Sequence, residues 1–362
     1  MSNHPRTTIP FGPQHPVLPE PVQLQITYED EKVIDVVPAF GYGHRGIEKG
    51  CELSDYNQSL FLCERICGFC SLIHGVTFCR AVENVYGAEI PQRADALRVF
   101  WMEMTRVHSH LLWTGLFAEA CGFESIFMQY ARIRERVMDL LELTTGHRIT
   151  HSISIIGGVR RDMNDEQAEI AKKELTLLRK EVEALNKVIE KDPTIKFRTI
   201  GRGIINKDDA IKWGTVGPVL RGSGVAEDMR SLDSNFYKDF GFEPITEANG
   251  DCYSRMKVRT RETLQAIDIQ LYLLEHLPKG EIALKLKGNP PEGESIARTE
   301  QPRGECFYYI KSNGTKQLDR VRVKTPTYSN LPSLLVMLPG MYHADVPVII
   351  HSLDPCISCT ER

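Results

Sequence analysis

The sequence predicts a mainly helical α+β fold, a central buried helix bundle carrying small antiparallel β-sheets at its periphery. Three observations lead there. Gln92–Ala120 is apolar on nearly every side (Leu97, Val99, Phe100, Trp101, Val107, Leu111, Leu112, Trp113, Leu116, Phe117), the pattern of a helix buried all round. Asn164–Lys191 sets Ile170, Leu178, Val182, Leu185 and Ile189 as one apolar stripe along a charged run, the pattern of a helix with a solvent face. Alternation of period two is confined to short segments towards the two ends.

Taken in order, residues 1–20 hold Pro5, Pro10, Pro13, Pro16 and Pro19, which forbid a helix and leave the chain extended over the surface or against a core. Val22–Tyr28 and Lys32–Val37, either side of an acidic turn, read as an antiparallel pair. From Ser54 to about Leu143 the spacing is helical, with breaks at Cys67–Cys70, Pro91 and Gly122. Asn164 and Gln167 make a capping-box start and Pro193 stops that helix, whose Lys/Glu face is expected to meet solvent rather than a partner. A further helix is expected over Ser254–His276. Cys306–Lys311 and Asp319–Val323 flank Ser312-Asn313-Gly314 and read as a hairpin. Lys287–Glu300, with Gly288, Pro290, Pro291 and Gly293, is the only linker-like piece and is too short to divide the chain. The 362 residues are therefore expected to form one domain: a proline-rich segment and small sheet over 1–50, a helical core over 51–280, and a hairpin with a C-terminal motif over 281–362.

Composition excludes several classes. A net charge of −4 rules out a nucleic-acid binder that works by bulk positive charge, and 42% hydrophobic against 25% charged residues rules out disorder. The longest apolar runs, Leu334–Leu338 and Val346–Ile350, fall far short of the roughly 18 residues a membrane span needs. Met1-Ser2-Asn3-His4-Pro5 lacks the basic start and apolar stretch of a signal peptide, so a cytoplasmic location is expected. In that compartment the 10 cysteines are thiols or metal ligands rather than disulfides. Cys51, Cys63, Cys79, Cys121, Cys252 and Cys306 stand alone and read as small buried packing residues. The remaining four form two CxxC pairs, Cys67/Cys70 and Cys356/Cys359.

A CxxC brings two thiolates onto one turn, and two such pairs make a four-sulfur site for a soft metal. On cysteine count alone a structural zinc is the first reading. Zinc ribbons, however, keep their pairs within roughly 15–20 residues. Here the pairs lie nearly a whole chain apart, and a site that ties the last residues into the helical core suggests function more than stapling. His74, one helical turn beyond Cys70, is placed to reach a sulfur and tune it.

Arg65-Ile66-Cys67-Gly68-Phe69-Cys70 with His74, and Asp354-Pro355-Cys356-Ile357-Ser358-Cys359, resemble the two metal motifs of nickel-iron hydrogenase large subunits. Within that family the chain is most similar to the energy-converting, membrane-associated group, which is related to the quinone-site subunit of respiratory complex I. The resemblance is carried by Gly12-Pro13-Gln14-His15-Pro16, His44-Arg45-Gly46-Ile47-Glu48-Lys49, Ile156-Gly157-Gly158-Val159-Arg160-Arg161-Asp162, Gly250-Asp251-Cys252-Tyr253 and Pro302-Arg303-Gly304-Glu305, and spans the whole chain. Complex I counterparts share most of these stretches but lack the four cysteines.

Residue by residue, the resemblance implies that Cys67 and Cys356 are terminal nickel thiolates. Cys70 and Cys359 would bridge nickel to an iron carrying CO and cyanide, an Ni-Fe(CO)(CN)2 centre. It places Arg303 over the open metal position, where a fixed cation polarises H2 or orients a base. Pro326 and Thr327 surround the cyanides, with a plain strand-ending turn as the bland alternative, and Asp354 stands beside the last cysteine pair. Glu20 resembles the glutamate that takes protons from the terminal cysteine, Cys356, with a solvated turn glutamate as its bland reading and His15 or Glu48 next in line. Two departures stand out. His108-Ser109-His110 replaces the family's His-Asp-His, so the charge around Arg303 differs. Arg362 replaces a terminal histidine that, with the residue matching Glu48, holds a further metal such as magnesium; a cation cannot ligate Mg²⁺, so Glu48 is expected to pair with a base or relay protons instead.

The implied activity is 2H⁺ + 2e⁻ ⇌ H2, of the ferredoxin-linked type. No CxxC set is left for an iron-sulfur cluster, so electrons must leave through a partner. By resemblance that partner is a small subunit with a [4Fe-4S] cluster, docked with further hydrophilic and integral-membrane subunits at the cytoplasmic face of the membrane. A maturation protease and nickel-insertion proteins would serve assembly. The rivals are a quinone-site or coupling subunit of a complex I-like assembly, with zinc or no metal at the cysteines, and a zinc-stabilised helical scaffold.

Overall fold

The computed structural model describes residues 6–16, 18 and 20–362. Pro5 and Pro19 of the opening segment lie outside them. Within that segment Arg6–Phe11 is extended: β1 (Arg6–Phe11) pairs antiparallel with β2 (Gln23–Glu29), which pairs with β3 (Lys32–Ala39). Alternate residues of this sheet, Leu24, Ile26, Tyr28, Val33 and Val36, turn inward.

Next come α1 (Ile47–Leu53), α2 (Tyr56–Glu64), α3 (Ser71–Tyr86), α4 (Gln92–Ala120) and α5 (Glu124–Thr145), broken at the cysteine motif, at Pro91 and at Gly122. The central helix α4 is about 43 Å long at 1.5 Å per residue. It is buried on all sides and packs on α5, as the absence of a polar face predicts. After the two-residue strands β4 (Ser154–Ile155) and β5 (Gly158–Val159) comes α6 (Asp165–Lys191). Its capping box is formed: the Asn164 side chain accepts from the Gln167 amide at 2.8 Å, and Gln167 accepts from the Asn164 amide at 3.1 Å. Pro193 ends α6 by opening α7 (Pro193–Thr199), where its missing N–H costs nothing. An irregular stretch with the short helices α8 (Lys207–Lys212), α9 (Pro218–Arg221) and α10 (Asn235–Phe240) leads into α11 (Cys252–Glu275), which packs against both α4 and α6.

The expected linker is instead part of a sheet. Glu292–Gln301 is strand β6, paired along its length with β7 (Gly304–Asn313), which pairs with β8 (Leu318–Lys324). Gly288, Pro290 and Pro291 punctuate the chain only before the strand. Ala297 and Thr299 alternate into α3, where small side chains let a helix lie close. The predicted hairpin is thus two-thirds of a three-stranded sheet. Beyond it α12 (Pro326–Asn330), α13 (Leu334–Met337), α14 (Val346–Leu353) and α15 (Ile357–Glu361) return the chain to the core.

Two apolar cores result. The larger gathers α4, α5, α6, α11 and the first sheet. The smaller lies between α1–α3 and β6–β8 and contains eight of the ten cysteines, so sulfur is concentrated where the two motifs meet. Among the described residues no helix is long and apolar enough to cross a membrane.

Candidate metal centre

Both cysteine motifs sit where a helix begins. The chain leaving α2 turns through Cys67, and Cys70 caps α3, its carbonyl accepting the His74 amide at 3.0 Å. At the other end α14 stops on Asp354, held at φ 59°, and Cys356 caps α15, which carries Cys359. The four thiols are unbridged and sealed from solvent, none more than 3% exposed. Cys67 and Cys356 sulfurs lie 3.3 Å apart, as do those of Cys70 and Cys359, and Cys67, Cys70 and Cys359 fall within 4.8 Å of one another. Thiolates about 2.3 Å from one metal stand roughly 3.8 Å apart in a tetrahedron, so the spacing suits a soft metal between them. Hydrogen bonds from the other three thiols draw Cys67 below the ordinary thiol range, while burial pushes Cys70 and Cys359 up.

A structural zinc would be complete with these sulfurs; this cluster is not alone. Arg303 is buried beside it, donating to the Asp354 carboxylate at 2.7 Å, to the Asp354 carbonyl at 2.9 Å and to Ser109 Oγ at 3.3 Å. Burial works against its charge, but Asp354 and then Cys356, Cys67 and Cys70 hold it firmly protonated. The second Asp354 carboxylate oxygen is buried without a partner among the described residues. Asp354, rather than any group at Ser109, is the ion-pair partner of Arg303. Backbone crowding fixes the arginine: a Cβ on Gly217 would sit 2.4 Å from the Arg303 carbonyl, at a φ of +66° that favours glycine.

His74 is neutral, its pKa lowered to about 4 by burial, and its Nε2 lies 3.5 Å from the Cys359 sulfur. The Cys356 amide donates to Thr327 Oγ1 at 3.1 Å, and Pro326 starts the same short helix, buried. The Glu20 carboxylate accepts from the amides of Ile357 and Ser358 and from the Ser358 hydroxyl, directly after Cys356. His15 stacks on Phe11 at 4.0 Å. Glu48 accepts from Arg362 at 2.9 Å, from Arg322 at 3.3 Å and from the Val323 amide at 2.9 Å. These three donors engage both of its oxygens.

Residues the sequence did not single out hold the two motifs together. Arg45 donates to the carbonyls of Arg65 at 2.8 Å and Ile66 at 2.7 Å, and to that of Ser358 at 3.4 Å. Glu361 accepts from the amides of Gly41 and Gly43. Thr325 donates to the Cys359 carbonyl at 3.1 Å. His44-Arg45-Gly46 was visible only as a family stretch, without a role.

Behind Arg303 lies a second buried polar cluster. His110 meets Glu262 at 3.1 Å; Arg221 joins Glu262 and Glu300 at 2.8 Å each and Asp228 at 3.1 Å. Arg230 joins Asp228 at 2.8 Å and Glu103 at 3.3 Å, and Arg106 meets Glu103 at 3.1 Å. Arg106 also donates to the carbonyls of Glu300 at 2.7 Å and Gln301 at 3.2 Å, and so grips the strand just before Arg303. Burial, then Asp228, pushes the Glu300 carboxyl up to about 7.

The pattern of the nickel-dependent hydrogenase family matches residues 45–115, and that of the 49 Kd subunit of respiratory-chain NADH dehydrogenase matches 120–288 and 283–362. The alpha subunit of the membrane-bound hydrogenase of Pyrococcus furiosus is 38% identical over 98% of this chain and 87% of its own length. The chain belongs to the nickel-iron hydrogenase large-subunit family, in its membrane-associated, complex I-related branch. An NADH-quinone oxidoreductase subunit from Dehalococcoides mccartyi, 35% identical over 97% of both chains, lies on the quinone side of the same family. A solved structure titled as the membrane-bound sulfane sulfur reductase, an archaeal respiratory membrane complex, superposes with a TM-score of 0.94 at 30% identity over 98% of both chains. These relationships support a hydrogenase-like oxidoreductase subunit within a multisubunit membrane complex.

Proposed function

We propose that this chain is the catalytic large subunit of an energy-converting hydrogenase, running 2H⁺ + 2e⁻ ⇌ H2. The observation that carries the reading is the convergence of four buried thiols from the two ends of the chain beside the Arg303–Asp354 pair. Cys67 and Cys356 would hold nickel, with Cys70 and Cys359 shared between nickel and iron. Such a centre, when bound, supplies a soft, redox-active site for cleaving or forming H2. Arg303 contributes a fixed cation whose position Asp354 and Ser109 determine. Cys356 Sγ takes up the proton, and Glu20, anchored on the two amides that follow Cys356, passes it toward solvent. Electrons leave to an iron-sulfur partner, with a [4Fe-4S] small subunit and membrane subunits completing an assembly at the cytoplasmic face.

A second reading, a quinone-side coupling subunit, is favoured by the match to the 49 Kd pattern and to NADH-quinone oxidoreductase subunits. Elemental analysis and infrared spectroscopy of the isolated complex discriminate. About one nickel per chain with CO and cyanide bands is the expected result. Zinc alone, or no metal, would falsify the hydrogenase reading.

A further inference from the structure

We propose that Tyr308 is a positioning residue for the Cys359 sulfur, acting through His74, and that Cys63 orients Tyr308 in turn. The inference rests on reading the four cysteines as a nickel-iron centre. Tyr308, on β7, places its hydroxyl 2.8 Å from His74 Nδ1, while His74 Nε2 faces Cys359 Sγ at 3.5 Å. On its other side the hydroxyl adjoins the buried Cys63 thiol, and Cys63 and Cys51 sulfurs lie 3.7 Å apart. All five side chains are buried.

Counting protons gives the string a single direction. A metal-bound Cys359 is a thiolate and can only accept, so Nε2 must carry the imidazole's one proton. Nδ1 is then an acceptor, and the Tyr308 hydroxyl must spend its proton there. The phenol oxygen is left to accept from Cys63, while the Cys51 thiol, beside it, donates to the Ser59 carbonyl at 3.7 Å. Without Tyr308 the imidazole loses what fixes its tautomer, and the thiolate loses a reliable donor. Cys63, which reads from sequence as an isolated packing residue, thus forms the far end of a line to the metal site.

Tyr308→Phe isolates the hydroxyl, because the ring keeps its edge contacts with His74 and Phe78. In the purified complex the variant should retain nickel. Its CO bands should move to lower wavenumber and its reduction potential should become more negative, because a thiolate without its donor pushes more electron density onto the metals. H2 turnover should fall roughly 10- to 100-fold. Cys63→Ala should shift the bands the same way by less, and Tyr309→Phe, on the opposite face of the strand, should leave them in place. Unshifted bands in a metallated Tyr308→Phe complex overturn the proposal. So does nickel loss from that variant alongside unshifted bands in Cys63→Ala, which would make Tyr308 a packing residue. A parent complex lacking CO and cyanide bands instead overturns the hydrogenase reading itself.

Discussion

Two buried polar clusters meet at Arg303, and they are built on opposite principles. In the cluster around Arg221, Arg230 and Glu262, fixed cations face fixed anions, so the desolvation of each charge is offset inside the protein. In the cluster around Cys67 and Cys356, four potential anions crowd together with Arg303 as the cation at hand, and Asp354 keeps one carboxylate oxygen unpartnered. In the first cluster every arginine meets a carboxylate, and it acts as scaffold. The second is short of positive charge, which is the electrostatic condition of a metal site.

The contrast can be broken most severely on the thiol side. Cys67→Ser or Cys356→Ser should remove nickel and abolish H2 turnover, because a hydroxyl is a poor soft-metal ligand. Cys121→Ser, in the larger core, should keep its nickel; equal loss in all three variants would remove the ligand assignment. Glu20→Gln tests the same side without touching a ligand. The amide still offers an oxygen to Ile357 and Ser358, so metals should stay, yet H2/D⁺ exchange should collapse because an amide does not take up and release a proton. If Glu20 serves only as a helix cap, the variant will exchange at the parent rate and lose at most about 1 kcal/mol of stability.

On the scaffold side the expected damage is to folding. Arg221→Leu strips a partner from Glu262, Glu300 and Asp228 at once and should cost roughly 3–5 kcal/mol in denaturant unfolding. The fraction that folds should still bind nickel, and selective nickel loss without destabilisation would erase the distinction between the clusters. Arg303→Lys gives the smallest effect and probes their junction. It keeps the charge but loses the planar fork, so nickel should remain while the rate drops at least roughly tenfold, about 1.4 kcal/mol on the barrier. Unchanged turnover would move Arg303 out of the site.

What the sequence disclosed follows the same division. The CxxC pairs, His74 and Arg303 lie in short motifs whose chemistry is local, and the helices α4 and α6 announce themselves by periodicity. The Arg–Glu cluster was invisible because its members are scattered over α4, α9, α11 and β6, and nothing in a charged residue's neighbourhood says which partner it will meet. Tyr308 and Arg45 were hidden for the same reason: one reaches His74 across 234 positions, the other reaches Ser358 across 313. Strand β6 was misread because Gly288, Pro290 and Pro291 stand just before it and Gly293 falls within it, and local composition outweighed the alternation that follows. Even the cysteine pairs gave no indication that Cys51 and Cys63, twelve positions apart, touch.

The clasp between Gly41 and Glu361, 320 positions apart, also bears on the order of events during folding. Closing a loop that long carries nearly the largest chain-entropy cost the molecule can incur, whereas α2 to α6 form from near neighbours. The half-site with Cys67 and Cys70 therefore takes shape early, and the tail with Cys356 and Cys359 swings in last, over an already folded floor. Amide hydrogen exchange should record the sequence of closure, with residues 356–362 opening well ahead of α4 in the metal-free chain.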